Sequence, residues 1–219
     1  MRFERKYELD SSHRKSAETL LFCLRFIEAY PERIVNSLYY DDNKFSLYDS
    51  AQQGISERKK IRIRFYDNGS SGLAIENKIR EGEVNWKTSQ TIEEDEKNLL
   101  TLELKNKGKK NNTIIIPKTI NGYYSPKLLV SYNRKYFVFP EKDYRVTLDT
   151  QIKFYKINLM NKTVELTSER ILEHDIIEVK YDYDINIDNI FINALTSQFN
   201  LILSKSSKYC KGIAKHYYI

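Results

Sequence analysis

Basic side chains occupy every second position in one short segment of this 219-residue sequence. In residues 58–66 these positions are Arg58, Lys60, Arg62 and Arg64, and the apolar residues Ile61, Ile63 and Phe65 set the alternation. Because successive side chains of a β-strand point to opposite faces, this spacing places the four cations on one face. Like charges along one strand repel each other, and a bound polyanion would relieve that repulsion. The pattern therefore predicts a strand that binds phosphates.

Four other segments show the same alternation of charged and apolar residues. The charged positions that share a predicted strand face are Glu4, Lys6 and Glu8 in 3–9, Glu76, Lys78 and Arg80 in 73–80, Arg145 and Asp149 in 144–149, and Glu178 and Lys180 in 177–181. For any one strand, a solvated charged face is the ordinary explanation. Together the five faces are rich in Arg and Lys, whereas a solvated face normally mixes both signs. We therefore expect a concave surface or tunnel that takes a polyanion.

Three helices are predicted to cover the apolar faces of these strands. The first begins after the capping residues 10–12 and extends to residues 30–31, the second covers 92–104, and the third follows Asp188. The apolar positions that support the first helix recur at helical spacing and are Leu20, Leu21, Leu24 and Ile27. Strands and helices in this proportion predict an α+β fold.

Length and charge narrow the class of protein further. A chain of 219 residues without a Pro/Gly/Ser-rich linker is predicted to form a single domain over residues 1–219. Lys and Arg number 36 against 30 Asp and Glu, and the resulting net charge of +6 favours anionic partners.

The absence of several sequence features excludes common classes. No apolar run is long enough to cross a membrane, and no secretory signal follows the first residues, so the sequence predicts a cytoplasmic protein. Two distant cysteines predict free thiols. No phosphate loop of the Gly-x-x-x-x-Gly-Lys type occurs, and no Cys-x-x-Cys or His-x-x-x-His spacing that would indicate zinc.

An ordered set of short strings resembles one known family. They are Glu4-Arg5-Lys6-Tyr7, Ser37-Leu38-Tyr39-Tyr40-Asp41, Arg58 to Tyr66, Ile75-Glu76-Asn77-Lys78, Val130-Ser131-Tyr132-Asn133-Arg134, Arg145 to Asp149, Ile177 to Tyr181, and Ser207-Lys208-Tyr209. In this order and at these spacings the chain resembles the VTC domain, the polyphosphate polymerase branch of the triphosphate tunnel metalloenzymes. The resemblance implies an antiparallel eight-stranded β-barrel that forms a tunnel with a polar, basic interior and helices packed on its outside.

The resemblance also implies roles for individual side chains. The phosphate ligands that it assigns are Lys6, Arg62, Arg64, Lys78, Arg134, Arg145 and Lys208; Lys180, on the strand face of Glu178, is added to them. The catalytic subset is Lys6, Arg62, Arg64, Arg134 and Arg145. Glu178 matches the position that holds a divalent metal, Mn²⁺ or Mg²⁺; the alternative is a surface carboxylate paired with Lys180. Glu4 and Glu76 are either further metal ligands or ion-pair partners of tunnel cations.

One departure from the family pattern favours polymer extension over hydrolysis. The triphosphatase branch has Glu-x-Glu-x-Lys on its first strand, whereas Arg2 stands at the first Glu position here. Losing that carboxylate removes a metal ligand or a base that activates water. We therefore expect transfer of the γ-phosphate of ATP onto inorganic polyphosphate, with no zinc and no nucleic acid as partner. Hydrolysis of tripolyphosphate or nucleoside triphosphates, and a non-catalytic polyphosphate-binding module, stay open as alternatives.

Overall fold

The structure, a computed structural model, describes residues 2–67, 73–82, 84–91, 99–104, 112–141, 143–182, 193–204 and 207–217. Strands dominate these residues and helices are few, which confirms the predicted α+β class in its general form. Within the described part of the chain, no helix combines the length and the apolar composition that crossing a bilayer would require.

The described elements follow each other along the chain as strands β1–β12 and helices α1–α4. The strands are β1 Arg2–Asp10, β2 Ile27–Asp41, β3 Arg58–Tyr66, β4 Ala74–Glu81, β5 Val84–Thr91, β6 Leu99–Leu104, β7 Asn112–Pro117, β8 Ser125–Phe139, β9 Tyr144–Met160, β10 Thr163–Ile171, β11 His174–Asp182 and β12 Ile202–Leu203. The helices are α1 Arg14–Cys23, preceded by a 3-10 turn at Ser11–His13, α2 Ser46–Gln52, α3 at 193–199, and α4 Lys208–Tyr217.

The chain divides into two compact units. The first contains Met1–Ile34, Tyr132–Ile152 and Ile171–Ser206, and the second contains Val35–Ser131, Lys153–Arg170 and Ser207–Ile219. Each unit has a hydrophobic core of its own.

A sheet and two helices build the first unit, and β1 runs antiparallel to both β11 and β12. Its strand order is β12-β1-β11-β9-β8-β2, and β1 pairs with β11, which pairs with β9. The apolar sides of these strands meet α1 through Ala17 and Leu21 and α3 through Leu195 and Phe199. The alternate side chains, which include the charged ones, therefore lie on the opposite face of the strands.

The second unit places β3 in the middle of an antiparallel meander. Its strand order is β2-β3-β4-β5, while β6 pairs with both β7 and β10. Ile61 and Ile63 of β3 are buried in a core to which β6 and β7 contribute a row of apolar side chains, namely Leu100, Leu102, Ile114 and Ile116. The core on the apolar side of β3 is thus built mainly by a β-hairpin, where the sequence predicted helices, and α2 adds Leu47 to it.

The predicted eight-stranded barrel is not confirmed. The described residues contain twelve strands, and the strand order of each unit runs to a terminal strand, β12 in the first and β5 in the second. Alternation identifies a strand locally, but the number of strands and their partners depend on the connections between them. The hairpin of β6 and β7 in particular lacks the alternation of charged and apolar residues that predicted the five strand segments.

The predicted helix boundaries needed correction in two places. The first helix ends at Cys23, well before residues 30–31, because Arg25 adopts the left-handed backbone conformation with φ of 66° and β2 begins at Ile27. Of the predicted helix 92–104, residues 92–98 lie outside the described residues. The remainder forms β6, in which Leu100 and Leu102 are buried at a period of two.

The third predicted helix is confirmed where the chain is described. Residues 193–199 are helical and bury Leu195, whereas the predicted start after Asp188 lies outside the described residues. Helices α2 and α4 were not predicted from the sequence. Gly212 lets α4 pack closely against Leu128 and Phe154. A Cβ at this position would lie only 2.5 Å from Leu128 Cδ2 and 2.7 Å from Phe154 Cδ1.

Candidate functional site

Two lysines and two glutamates of the first unit meet on the charged face of β1 and β11. Lys6 lies opposite Glu178 in the strand register, and Glu4 lies opposite Lys180. The Nζ of Lys180 is 2.9 Å from Glu178 Oε1 and 3.6 Å from Glu4 Oε2, while Lys6 Nζ is 3.5 Å from Glu178 Oε2 and also pairs with Glu4. We call these four residues the Glu178 cluster.

Glu178 is charged although it is buried. Its residue exposure is 8%, and burial alone would raise the pKa of its carboxyl group. The positive charges of Lys6, Lys180 and Arg134 outweigh this and hold the pKa well below its usual range. In turn, burial alone would lower the pKa of Lys6, but Glu178 and Glu4 raise it. The pairing with Lys180 that was the alternative to a metal ligand is present, but Glu178 is buried and not at the surface, and two further cations act on it.

Arg134 lies close to Glu178 and forms a bidentate ion pair with Asp149. Its Nε and Nη2 donate to the two carboxylate oxygens at 2.5 and 2.7 Å, and Asp149 is fully buried. Burial would lower the pKa of Arg134, but the charge of Asp149 raises it well above its usual value. Two parallel hydrogen bonds to one carboxylate therefore hold the Arg134 guanidinium in one orientation.

The other predicted cation of this unit, Arg145, is more open to solvent. It lies opposite Lys180 in the register of β9 and β11, its side chain is 57% exposed, and its Nε donates to Asp143 at 3.0 Å. Thr147 lies opposite Glu178 on the same strand. Its Oγ1 is buried and has no hydrogen-bond partner among the described residues.

In the second unit, one face of β3, β4 and β5 carries a dense set of cations. The register places Arg58 opposite Arg80 and Lys60 opposite Lys78, and Lys78 opposite Lys87. The seven basic residues of this face are Arg58, Lys60, Arg62, Arg64, Lys78, Arg80 and Lys87, and the one carboxylate at its paired positions is Glu76. We call this surface the cation face.

Contacts within the second unit hold the two central arginines of the cation face. Arg62 donates through Nε to Glu76 Oε2 at 2.9 Å and through Nη1 to the Tyr39 hydroxyl at 3.3 Å, and Arg64 Nε donates to Ser37 Oγ at 3.3 Å. Glu76 also pairs with Lys87. Burial would raise the pKa of Glu76, but Lys87, Arg62 and Arg64 leave it lowered.

The two remaining predicted phosphate ligands lie in different parts of the second unit. Lys78 is exposed on β4, between Lys60 and Lys87 of the neighbouring strands. Lys208 is half-buried at the first position of α4, a helix that Ser207 caps by accepting from the Cys210 backbone N–H at 3.0 Å. The structure therefore brings Arg62, Arg64 and Lys78 onto one face and brings Lys6, Lys180 and Arg134 around Glu178.

The comparison with protein families identifies the chain. The model of the VTC domain matches residues 1–217. This protein belongs to the VTC domain family. Among solved structures, its fold is similar to that of a candidate adenylate cyclase from Bacillus halodurans, with a TM-score of 0.53, 12% identity, and 99% of this chain and 97% of the other covered.

Other comparisons add less. A candidate adenylate cyclase from Vibrio parahaemolyticus matches this VTC domain with a TM-score of 0.48 and 14% identity over 94% of both chains. At these identities the Bacillus halodurans structure is a likeness of fold alone. No curated protein matches the chain at a significant level.

The donor atoms of the Glu178 cluster in this VTC domain are oxygens, so they suit Mg²⁺ or Mn²⁺ better than a metal that prefers nitrogen or sulfur ligands. Glu178 and Glu4 offer hard carboxylate oxygens, and the buried Thr147 hydroxyl beside Glu178 is a further oxygen without a partner among the described residues. Throughout the described ranges, no three His, Cys, Asp or Glu side chains come together as a metal site. One or two carboxylates completed by substrate phosphates are an ordinary arrangement for Mg²⁺.

Glu76 and Glu178 both have a cation at each carboxylate oxygen, but the contacts of Glu76 are closer. Arg62 Nη2 is 2.9 Å from Glu76 Oε2 and Lys87 pairs with Oε1, whereas Lys6 Nζ is 3.5 Å from Glu178 Oε2. Of the two alternatives that the sequence left open, the geometry favours the ion-pair partner.

Sequence reasoning missed several residues that the structure brings to these sites. Tyr39 contacts Arg62, Lys87 pairs with Glu76, and Thr147 lies beside Glu178. A signal existed for Thr147, since it falls between Arg145 and Asp149 on the alternating face. The contribution of Lys87 had no comparable signal, because β5 shows no charged alternation.

Proposed function

We propose that this VTC domain is a metal-dependent phosphotransferase that moves the γ-phosphate of ATP onto a growing inorganic polyphosphate chain. Membership of the VTC family supports a phosphate-handling function. The finer assignment to ATP and polyphosphate is our proposal and comes from the resemblance of the motifs together with the charge pattern.

The cation face is the observation that carries the proposal. Lys60 and Lys78, and Lys78 and Lys87, are opposite each other in the strand register, where like charges normally destabilise a sheet. A ligand with closely spaced negative charges would remove that repulsion, and a phosphate chain provides such charges at regular intervals. Arginine forks at Arg62 and Arg64 suit phosphate oxygens because they can donate two parallel hydrogen bonds.

The Glu178 cluster is suited to the transfer step itself. Transfer of a phosphoryl group requires positioning and neutralisation of charge more than covalent help from the protein. Lys6, Lys180 and Arg134 would neutralise charge on the phosphates, and Glu178 and Glu4 would hold a divalent metal. A bound Mg²⁺ or Mn²⁺ would supply Lewis-acid stabilisation of the charge that develops on phosphate oxygens.

The acceptor decides whether a general base is needed. The terminal phosphate of a polyphosphate chain is largely ionised near neutral pH, so its oxygen can attack without losing a proton to the protein. Water as acceptor would need a residue that positions or deprotonates it. With Glu178 and Glu4 as metal ligands, neither carboxylate would be available as that base, and this favours polymer extension over hydrolysis.

Incubation of the purified protein with ATP and Mn²⁺ or Mg²⁺ tests the proposed function directly. We expect long phosphate chains on a polyphosphate-stained gel, with ADP formed in proportion, and no product when the metal is chelated. Free phosphate without chains would indicate a hydrolase. Neither product, with polyphosphate still bound, would indicate a binding module.

A second prediction concerns stabilisation of the protein by ligands of increasing length. Because each added phosphate can meet another cation of the cation face, Tm should rise least with pyrophosphate, more with tripolyphosphate and most with long polyphosphate at equal phosphate content. Added salt should reduce the effect, since charges at a surface are screened. Differential scanning fluorimetry measures it.

Two adjacent lysines of β3 provide the matched control for this prediction. Lys60→Gln removes a charge from the cation face, whereas Lys59→Gln removes one from the opposite side of the strand, where Lys59 lies 4.5 Å from the ring centre of Tyr124. We expect Lys60→Gln alone to reduce the Tm gain with polyphosphate. Equal gains in both variants and the wild type would contradict the assignment of the cation face.

A further inference from the structure

Two sequence strings that are far apart along the chain meet in the second unit. Tyr39 lies in the string 37–41 and Tyr209 in the string 207–209, next to the predicted phosphate ligand Lys208. The rings of Tyr39 and Tyr209 stack with their centres 5.0 Å apart and an angle of 24° between their planes. The Tyr209 hydroxyl donates to Asp41 Oδ2 at 2.5 Å.

Asp41 anchors this contact to the protein backbone. Its side chain is fully buried and accepts from the backbone N–H groups of Leu47 at 3.1 Å, Tyr48 at 3.0 Å and Asp42 at 2.8 Å. With the Tyr209 hydroxyl, the carboxylate therefore accepts four hydrogen bonds. A buried group held by four donors has little freedom to move, so Tyr209 is held in one position above Tyr39.

Tyr39 transmits this fixed position to the cation face. Its residue exposure is 7%, and its hydroxyl accepts from Arg62 Nη1 while Arg62 Nε and Nη2 contact Glu76. The guanidinium is thus held on two sides, by a carboxylate on β4 and by a phenol on β2. Contacts on two sides fix the plane of the guanidinium, and that plane determines which direction a bidentate phosphate contact can take.

We propose that Asp41, Tyr209 and Tyr39 form a buried support that holds the Arg62 guanidinium in the orientation for binding phosphate, so that Tyr39 is a positioning residue. The inference rests on the proposed phosphate-binding function of the cation face. It assigns a role to the start of α4 beyond that of Lys208, because Tyr209 follows Lys208 directly.

A matched pair of neighbouring tyrosines tests the support. Tyr39→Phe and Tyr40→Phe each delete one buried hydroxyl, but that of Tyr40 donates to the Pro117 carbonyl at 2.8 Å from the core side of β2. Binding of tripolyphosphate to the full chain, measured by titration calorimetry with metal chelated, should weaken about tenfold in Tyr39→Phe, as for the loss of one bond to a charged group. Tyr40→Phe should lower Tm and leave the Kd unchanged. Equal Kd values for Tyr39→Phe and the wild type would overturn the proposal.

A double-mutant cycle separates positioning of Arg62 from a general structural effect. The loss caused by Tyr39→Phe should disappear in an Arg62→Ala background and persist in an Arg64→Ala background. Tyr209→Phe should show the same dependence with a smaller loss, since its ring still stacks on Tyr39. If Tyr39→Phe weakens tripolyphosphate binding by the same factor with and without Arg62, Tyr39 does not position Arg62 and the proposal is overturned. If Arg62→Ala itself leaves the Kd unchanged, it is the proposed phosphate-binding function of the cation face that fails.

Discussion

Replacing Glu178 by glutamine is expected to reduce turnover of ATP by roughly 100-fold or more, because the change removes the charge that would hold the metal. The substitution keeps the shape of the side chain. The cation face lies on other strands and is not altered, so binding of polyphosphate should persist. Turnover is measured at limiting metal concentration and should fall, and polyphosphate binding is measured separately and should match the wild type.

The same substitution should change stability in a way that depends on pH. Glu178 is surrounded by Lys6, Lys180 and Arg134, and its loss should lower the free energy of unfolding of the ligand-free protein by roughly 1–3 kcal/mol near neutral pH. Since the folded pKa lies below the usual glutamate value of 4.5, the stabilisation is present above that value and is lost as the pH falls through the folded pKa. The difference between wild type and variant should therefore shrink below about pH 4.5.

Glu173 provides a control for the Glu178 variant. It is an exposed carboxylate immediately before β11, so Glu173→Gln changes the net charge equally without touching the cluster. We expect wild-type turnover and stability for this variant. Wild-type turnover of Glu178→Gln at limiting metal would show that Glu178 does not hold the metal.

Replacing Asp149 by alanine is expected to cause a large loss of stability. Arg134 is bound to Asp149 by two hydrogen bonds, the side chain of Asp149 has no exposed surface and that of Arg134 is 13% exposed. Removing the carboxylate would leave a buried guanidinium without this counter-charge, which typically costs about 3–5 kcal/mol. Urea unfolding of Asp149→Ala and the wild type measures the difference.

A solvent-exposed ion pair of the same unit gives the matched comparison. Asp143 and Arg145 are 44% and 57% exposed, so Asp143→Ala should cost less than about 1 kcal/mol. If the two Asp variants lose similar stability, the buried pair of Arg134 and Asp149 contributes no more to folding than an exposed pair, which would contradict the prediction. Polyphosphate should restore part of the stability of Asp149→Ala if Arg134 binds phosphate, since the ligand would then replace the missing negative charge.

The sequence alone identified five of the strand segments and which of their side chains share a face. The predicted segment 58–66 coincides with β3, and the segments 3–9 and 177–181 fall within β1 and β11. This succeeds because the period of two is a local property of an extended backbone and needs no knowledge of partners. The same periodicity identified the candidate cations of these strands and Glu178.

Only the tertiary structure decided what these side chains contact. Arg134 pairs with Asp149, which is 15 positions away, and Tyr209 binds Asp41, which is 168 positions away, and stacks on Tyr39. The number of strands and the end of α1 at Cys23 also depended on packing. Alternation fixes the face on which a side chain lies, but pairing between distant segments is set by the connections and by burial of the apolar faces, which no local pattern encodes.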